Sequence, residues 1–128
     1  MPDHMAALHS RISAAIGNTR VYPGFVPQGK ARPYVRMNTV SDVRPQHLQG
    51  YDGARSTRVQ IDVFSDSYGE ARAISETIIA ALAEPATVGG VKFGRTKAEG
   101  PRDEGEDVEG IGYIHRLRTD LLAEHSLA

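Results

Sequence analysis

Apolar residues recur along this chain with two different periods, and the changes between them mark its elements. Between Asp3 and Gly17, Met5, Leu8, Ile12 and Ile16 fall at three- and four-residue intervals, with Asp3 placed as an N-cap and Gly17 as a stop. That spacing predicts a short amphipathic helix. The stretch Val21 to Gly29 then places Pro23, Gly24, Pro27 and Gly29 within nine residues and is expected to be an extended loop. From Tyr34 to Val40 the period becomes two: Tyr34, Arg36, Asn38 and Val40 lie on one face, Val35, Met37 and Thr39 on the other, as in a strand. Ser41 to Gly53 is polar, holds Pro45, Gly50 and Gly53, and reads as a long connection. Period two returns most clearly from Arg55 to Phe64, with Thr57, Val59, Ile61 and Val63 opposed to Arg58, Gln60 and Asp62. Such a strand is half-buried against a helix.

The helix to cover it follows at once. Ser65-Asp66-Ser67 supplies N-caps, and Ser67 with Glu70 three residues on makes a capping box. Ala71, Ile74, Ile78 and Leu82 then form one apolar stripe until Glu84-Pro85 ends it. Val88, Val91 and Phe93 around Gly89-Gly90 suggest a short strand or hairpin, and Gly112 to Ala123 fits either a strand with Tyr113, His115, Leu117, Thr119 and Leu121 on one face or a helix through Leu117 and Leu121, of which its Tyr, Ile and Thr favour the strand. The order α-β-β-α-β-β gives an α+β domain over residues 1–128: a mainly antiparallel sheet with two helices packed on one face.

Charge sharpens this picture. The formal net charge is −1, so global electrostatics draws the chain neither to nucleic acid nor to anionic lipid. The layout is nevertheless polarised: Arg20 to Arg58 carries seven bases against two acids, and Glu99 to Gly110 carries six acids against Arg102. The bases Arg20, Arg32, Arg36, Arg44, Arg55 and Arg58 are candidates for a subunit or partner interface, with Arg32, Arg36, Arg55 and Arg58 placed to line one side of a sheet. The acids Glu99, Asp103, Glu104, Glu106, Asp107 and Glu109, set among Gly100, Pro101, Gly105 and Gly110, are expected on a mobile loop at about 96–110.

Few residues of the chain stand in a pattern that carries chemistry. The absence of Cys excludes disulfides, thiolate zinc sites and a thiol nucleophile. No two of His4, His9, His47, His115 and His125 have ligand spacing on a helix, and the acidic stretch lacks the EF-hand order, so no metal and no cofactor is expected. Gly89-Gly90-Val91-Lys92-Phe93-Gly94 does not open a helix and has no Walker Lys-Ser/Thr pair, and no G-x-S-x-G is present. No catalytic residue is assigned. Aromatics are 6% of the chain, with no Trp, which disfavours a base-stacking surface. No run approaches the ~20 apolar residues needed to span a bilayer, and the N-terminus lacks a basic start followed by an apolar stretch, so synthesis in the cytoplasm and no membrane partner are expected.

The order of local features goes further than composition. Arg20-Val21-Tyr22-Pro23, Val26-Pro27-Gln28-Gly29, Arg32-Pro33-Tyr34-Val35, a polar loop closing at Gly50, Val59-Gln60-Ile61-Asp62-Val63-Phe64-Ser65 and Tyr68-Gly69-Glu70-Ala71-Arg72 succeed one another. In this the chain resembles the small tail-completion or tail-terminator proteins of long-tailed bacteriophages and phage-like gene transfer agents. The resemblance implies a non-enzymatic structural protein of the particle, assembled in the bacterial cytoplasm and located at the head-proximal end of the tail. It also implies a homo-oligomer, a hexameric ring, with the tail tube protein and head-side connector proteins as partners and DNA passing through without specific binding. On that picture the basic region faces an acidic surface of a neighbour or of a tail component, or alternatively the acids line the lumen and repel passing DNA. A head-tail joining or minor tail protein is the neighbouring reading. A small enzyme with a dispersed site is the remaining one, and it requires a deep pocket with convergent titratable groups.

Overall fold

A computed structural model describes residues 4–17, 20–27, 29, 31–43, 46–47, 50–51 and 55–127. Among these residues two helices, α1 (His4–Ile16) and α2 (Tyr68–Ala83), are interspersed among ten strands: β1 (Val21–Pro23), β2 (Tyr34–Val43), β3 (Gln46–His47), β4 (Gly50–Tyr51), β5 (Arg55–Ser65), β6 (Ala86–Val88), β7 (Val91–Phe93), β8 (Lys97–Asp103), β9 (Glu106–Val108) and β10 (Gly112–Leu127). Eight strands form one sheet in the order β1-β2-β5-β10-β7-β6, with β8 and β9 also pairing β10. All these pairings are antiparallel except β1 with β2. The fold is α+β, as the periodicity predicts.

The sheet is organised by its two longest strands. β5 and β10 pair without a slip from His115↔Ser65 to His125↔Arg55, and β2 lies on the other side of β5. With a side-chain period of two, Val59, Ile61 and Val63 of β5, Val35 and Met37 of β2, and Leu117 and Leu121 of β10 come to one face. Leu8 and Ile12 of α1 and Ala71, Ile78 and Leu82 of α2 close over that face to form the core. Burying each of the larger side chains stabilises the fold by about 1.5–3 kcal/mol.

The cap of α2 is more elaborate than a simple box. Ser67 Oγ accepts from Glu70 N at 3.4 Å, while the Glu70 carboxylate accepts from Ser65 Oγ at 2.7 Å and Ser65 Oγ accepts from Ser67 N at 3.1 Å. The end of β5 thus joins the cap, fixing the helix against the strand it covers.

Four stretches differ from their expectation. Residues 21–23 form a short parallel strand, with Val35 N donating to Arg20 O at 2.8 Å. The presumed connection after Val40 contains the end of β2 and the two-stranded β3-β4 pair. The last strand extends to Leu127. Most consequential, the expected loop at about 96–110 is largely strand, because β8 and β9 both hydrogen-bond along β10. Two of the three glycines read as loop signals are sites of close approach: a Cβ on Gly100 would stand 2.8 Å from Arg118 O, and one on Gly105 would stand 2.6 Å from the Tyr113 hydroxyl.

Candidate functional site: the polar face of the sheet

The same alternation that sends Val59, Ile61 and Val63 into the core under the two described helices sends Arg58, Gln60, Asp62 and Phe64 to the opposite face. At its centre Asp62 is 0% exposed despite lying outside the core. Its neighbours account for this. Arg36 on β2 is its register partner, and Arg36 Nη2 donates to Asp62 Oδ2 at 3.0 Å. Arg116 on β10 donates from Nε to Oδ1 at 3.0 Å, and Gln60 Nε2 donates to Oδ2 at 2.9 Å. Both carboxylate oxygens are engaged, so this group ties its neighbours together on the face.

An aromatic floor supports the arginines. The Arg36 and Arg116 guanidinium carbons lie 5.5 Å and 5.7 Å from the Phe64 ring centroid, and the Tyr34 ring lies 5.0 Å from Phe64. Toward β8 the pattern continues in ion pairs: Arg58 with Glu99 at 3.8 Å, Arg116 and Arg118 with Glu104 at 3.8 and 3.6 Å, and Arg118 with Asp120 at 3.6 Å. The basic and acidic halves of the sequence therefore meet within one chain, because the sheet order sets β5, β10 and β8 side by side.

The six candidate bases do not share one surface. Arg36 and Arg58 lie on this face. Arg32 precedes β2 and its Nε lies 2.6 Å from Asp66 Oδ1, beside the start of α2. Arg55 corrects the expectation that it lines the same side as Arg58: three residues from Arg58 on a regular strand, it has the opposite parity and lies 3.4 Å from His4 Nδ1 of α1. Arg20 is exposed just before β1, and Arg44 lies outside the described residues. Of the acids, Glu99 and Glu104 are held by arginines and Asp103 Oδ1 accepts from Gly105 N at 3.1 Å, whereas Glu106, Asp107 and Glu109 are exposed at β9 and its turn. Arg116, Arg118 and Phe64 complete the site without having been singled out from the sequence. The signal for the two arginines was the even-numbered alternation of 116, 118 and 120 along the last strand.

Elsewhere, burial lowers the pKa of Arg11, which donates to Ala81 O and Glu84 O at 3.1 and 2.8 Å and so ties α1 to the end of α2. Among the described residues no group of three or more His, Asp or Glu is arranged to hold a metal ion.

Comparison with known proteins agrees with this architecture. The sequence pattern of the family described as tail completion protein gp17 matches residues 5–108. No curated protein matches the chain. Among solved structures, a chain of the virion of a native gene transfer agent particle is similar at 19% identity and a TM-score of 0.64, over 94% of this chain and 92% of that one. A second solved chain is similar at 14% identity and a TM-score of 0.60, over 98% of this chain and 93% of that one.

Proposed function

Since the chain belongs to the tail completion protein gp17 family, we propose that it caps the head-proximal end of a phage or gene-transfer-agent tail tube as a ring, ends tube growth there and presents the surface on which the head-side connector docks. The observation that carries this reading is the family match over residues 5–108, joined to a fold shared with a chain of a gene transfer agent virion. The open face of the sheet is suited to a protein partner. Arg36 and Arg116 are held in place by Asp62 beside Phe64, so little of their side-chain entropy remains to be lost when they meet carboxylates. Closure by rotation makes such an assembly finite, and six copies is the number the family resemblance implies.

Of the two placements for the acids, contact with a neighbouring subunit is favoured over the lumen. Glu99 and Glu104 are already paired within the chain, and the exposed Glu106, Asp107 and Glu109 sit together on one hairpin. Arg20, Arg32, Arg36 and Arg58, with Arg44 in the adjoining segment, are the bases proposed to face a neighbour or the tail proteins.

The test is complementation. Particles made without the gene are mixed with the purified chain, and joined, DNA-transferring particles are counted. Restoration supports a completion role, and binding of the chain to isolated tubes but not to isolated connectors identifies the terminator. Failure to restore, with no binding to tubes or connectors, rejects it.

A further inference from the structure

The two ends of β10 carry features that fit each other but not themselves. At one end, β9 pairs only with residues 112–114 of β10, whereas the pairing of β10 with β5 begins at His115. The β9-β10 hairpin thus projects three residues past the body of the sheet. Its tip is closed by Ile111 N donating to Val108 O at 3.0 Å, and Ile111 there is 60% exposed. Tyr113 is exposed on the same hairpin, and its ring lies 4.7 Å from His115, which stiffens the base. Around the apolar tip stand Glu106, Asp107 and Glu109, with no Lys or Arg from 103 to 115.

At the other end lies a cleft of about 500 Å³, formed where the start of β5, the end of β10 and β7 come together. Pro85, Phe93 and Gly94 give it apolar walls, and among the described residues that line it Arg55 and Lys92 set two bases against the one carboxylate of Glu124. His125 closes its floor, stacked on His4 with centroids 4.4 Å apart and hydrogen-bonded to Thr57 Oγ1 at 2.7 Å.

Thirteen strand residues separate Gly112 from His125, or about 44 Å at ~3.4 Å each, so no chain fills its own cleft with its own hairpin. We propose that the acidic hairpin tip of one copy, led by Ile111, seats in the Phe93 cleft of the next copy. The contact joins two different surfaces. It is therefore heterologous and propagates head to tail until rotation closes it. This deepens the ring reading above and rests on it. The groove between the helices, lined among the described residues by Ser10, Arg11, Ala14, Ala15, Ala81 and Val88, is the less suited receptor, because it offers an acidic tip one base, Arg11, where the cleft offers Arg55 and Lys92.

The chain has no cysteine, so introduced thiols report contacts without background. Particles are assembled with the double variant Ile111→Cys, Lys92→Cys, both positions being exposed, and treated with a short bis-maleimide before denaturing electrophoresis. The expected result is a ladder of covalent multimers ending at a closed ring, with none from either single variant. A second measurement reverses charge: Lys92→Glu alone, or Glu106→Lys with Glu109→Lys, lowers incorporation into particles several-fold, and combining all three in one chain restores it. If the chain is present in particles but the double variant stays monomeric, or if Ile111→Cys links to itself or to Ala14→Cys, the hairpin-in-cleft contact is wrong while the tail reading stands. If the chain is absent from particles altogether, both are overturned.

Discussion

Asp62 on β5 stands directly across from Arg36 on β2, and the 3.0 Å hydrogen bond between them occupies one oxygen of a carboxylate that is wholly removed from water. The other oxygen takes Arg116 from the opposite side, so one residue of the central strand ties three strands together on the face opposite the two described helices. An aspartate there holds two guanidinium groups within reach of Phe64 that would otherwise repel one another.

Replacing Asp62 tests that relationship. Asp62→Ala is expected to cost about 2–3 kcal/mol, less than the ~3–5 typical when a fully buried pair is broken, because both arginines keep access to water. Chemical denaturation of the variant checks it. A loss below ~0.5 kcal/mol would show that the triad contributes little to holding the strands together.

Gly100 lies opposite the irregularity in the β8-β10 register, with φ +117 and Arg118 O only 2.8 Å from where a Cβ would be. Gly100→Ala is expected to destabilise by about 1–3 kcal/mol and to free β8 from β10 before the rest of the sheet opens. Hydrogen exchange should show faster exchange at 97–103 with β5 unaffected.

Leu82, with no exposed surface, seats the last turn of α2 on the core. Leu82→Ala should cost about 2–5 kcal/mol, whereas removing the cap oxygen with Ser67→Ala should cost only ~1 kcal/mol. Thermal melts of the two variants should rank in that order.

Changing Glu99, Asp103, Glu104, Glu106, Asp107 and Glu109 to their amides separates the two placements of the acidic strands. With Glu106, Asp107 and Glu109 at a neighbour's cleft, ring assembly on tails should fall sharply. Intact assembly with DNA held back in the tail would place them in the lumen instead.

How much of this was legible in the sequence follows from where each signal originates. The alternation of Val59, Ile61 and Val63 with Gln60 and Asp62 and the stripe through Ile74, Ile78 and Leu82 are local, and the structure keeps both. β8 left no such trace. It is an edge strand with nearly every side chain in water, so nothing enforces an apolar alternation, and Gly100 and Gly105 imitate loop punctuation while serving close approach. The arginine face was half legible. Parity alone places Arg36 and Arg58 there and removes Arg55, but the role of Arg116 and Arg118 depends on β10 lying next to β5, which no local pattern specifies. Sheet order also brings Glu99 to Arg58, so two segments of opposite charge, far apart in sequence, partly neutralise each other inside one chain.

The most direct test of the tail-capping account is the distribution of tail lengths, measured by electron microscopy, in particles produced with this gene deleted. The account predicts tubes that overgrow and fail to join heads. Tails of normal length, joined to heads and able to deliver DNA, would contradict it.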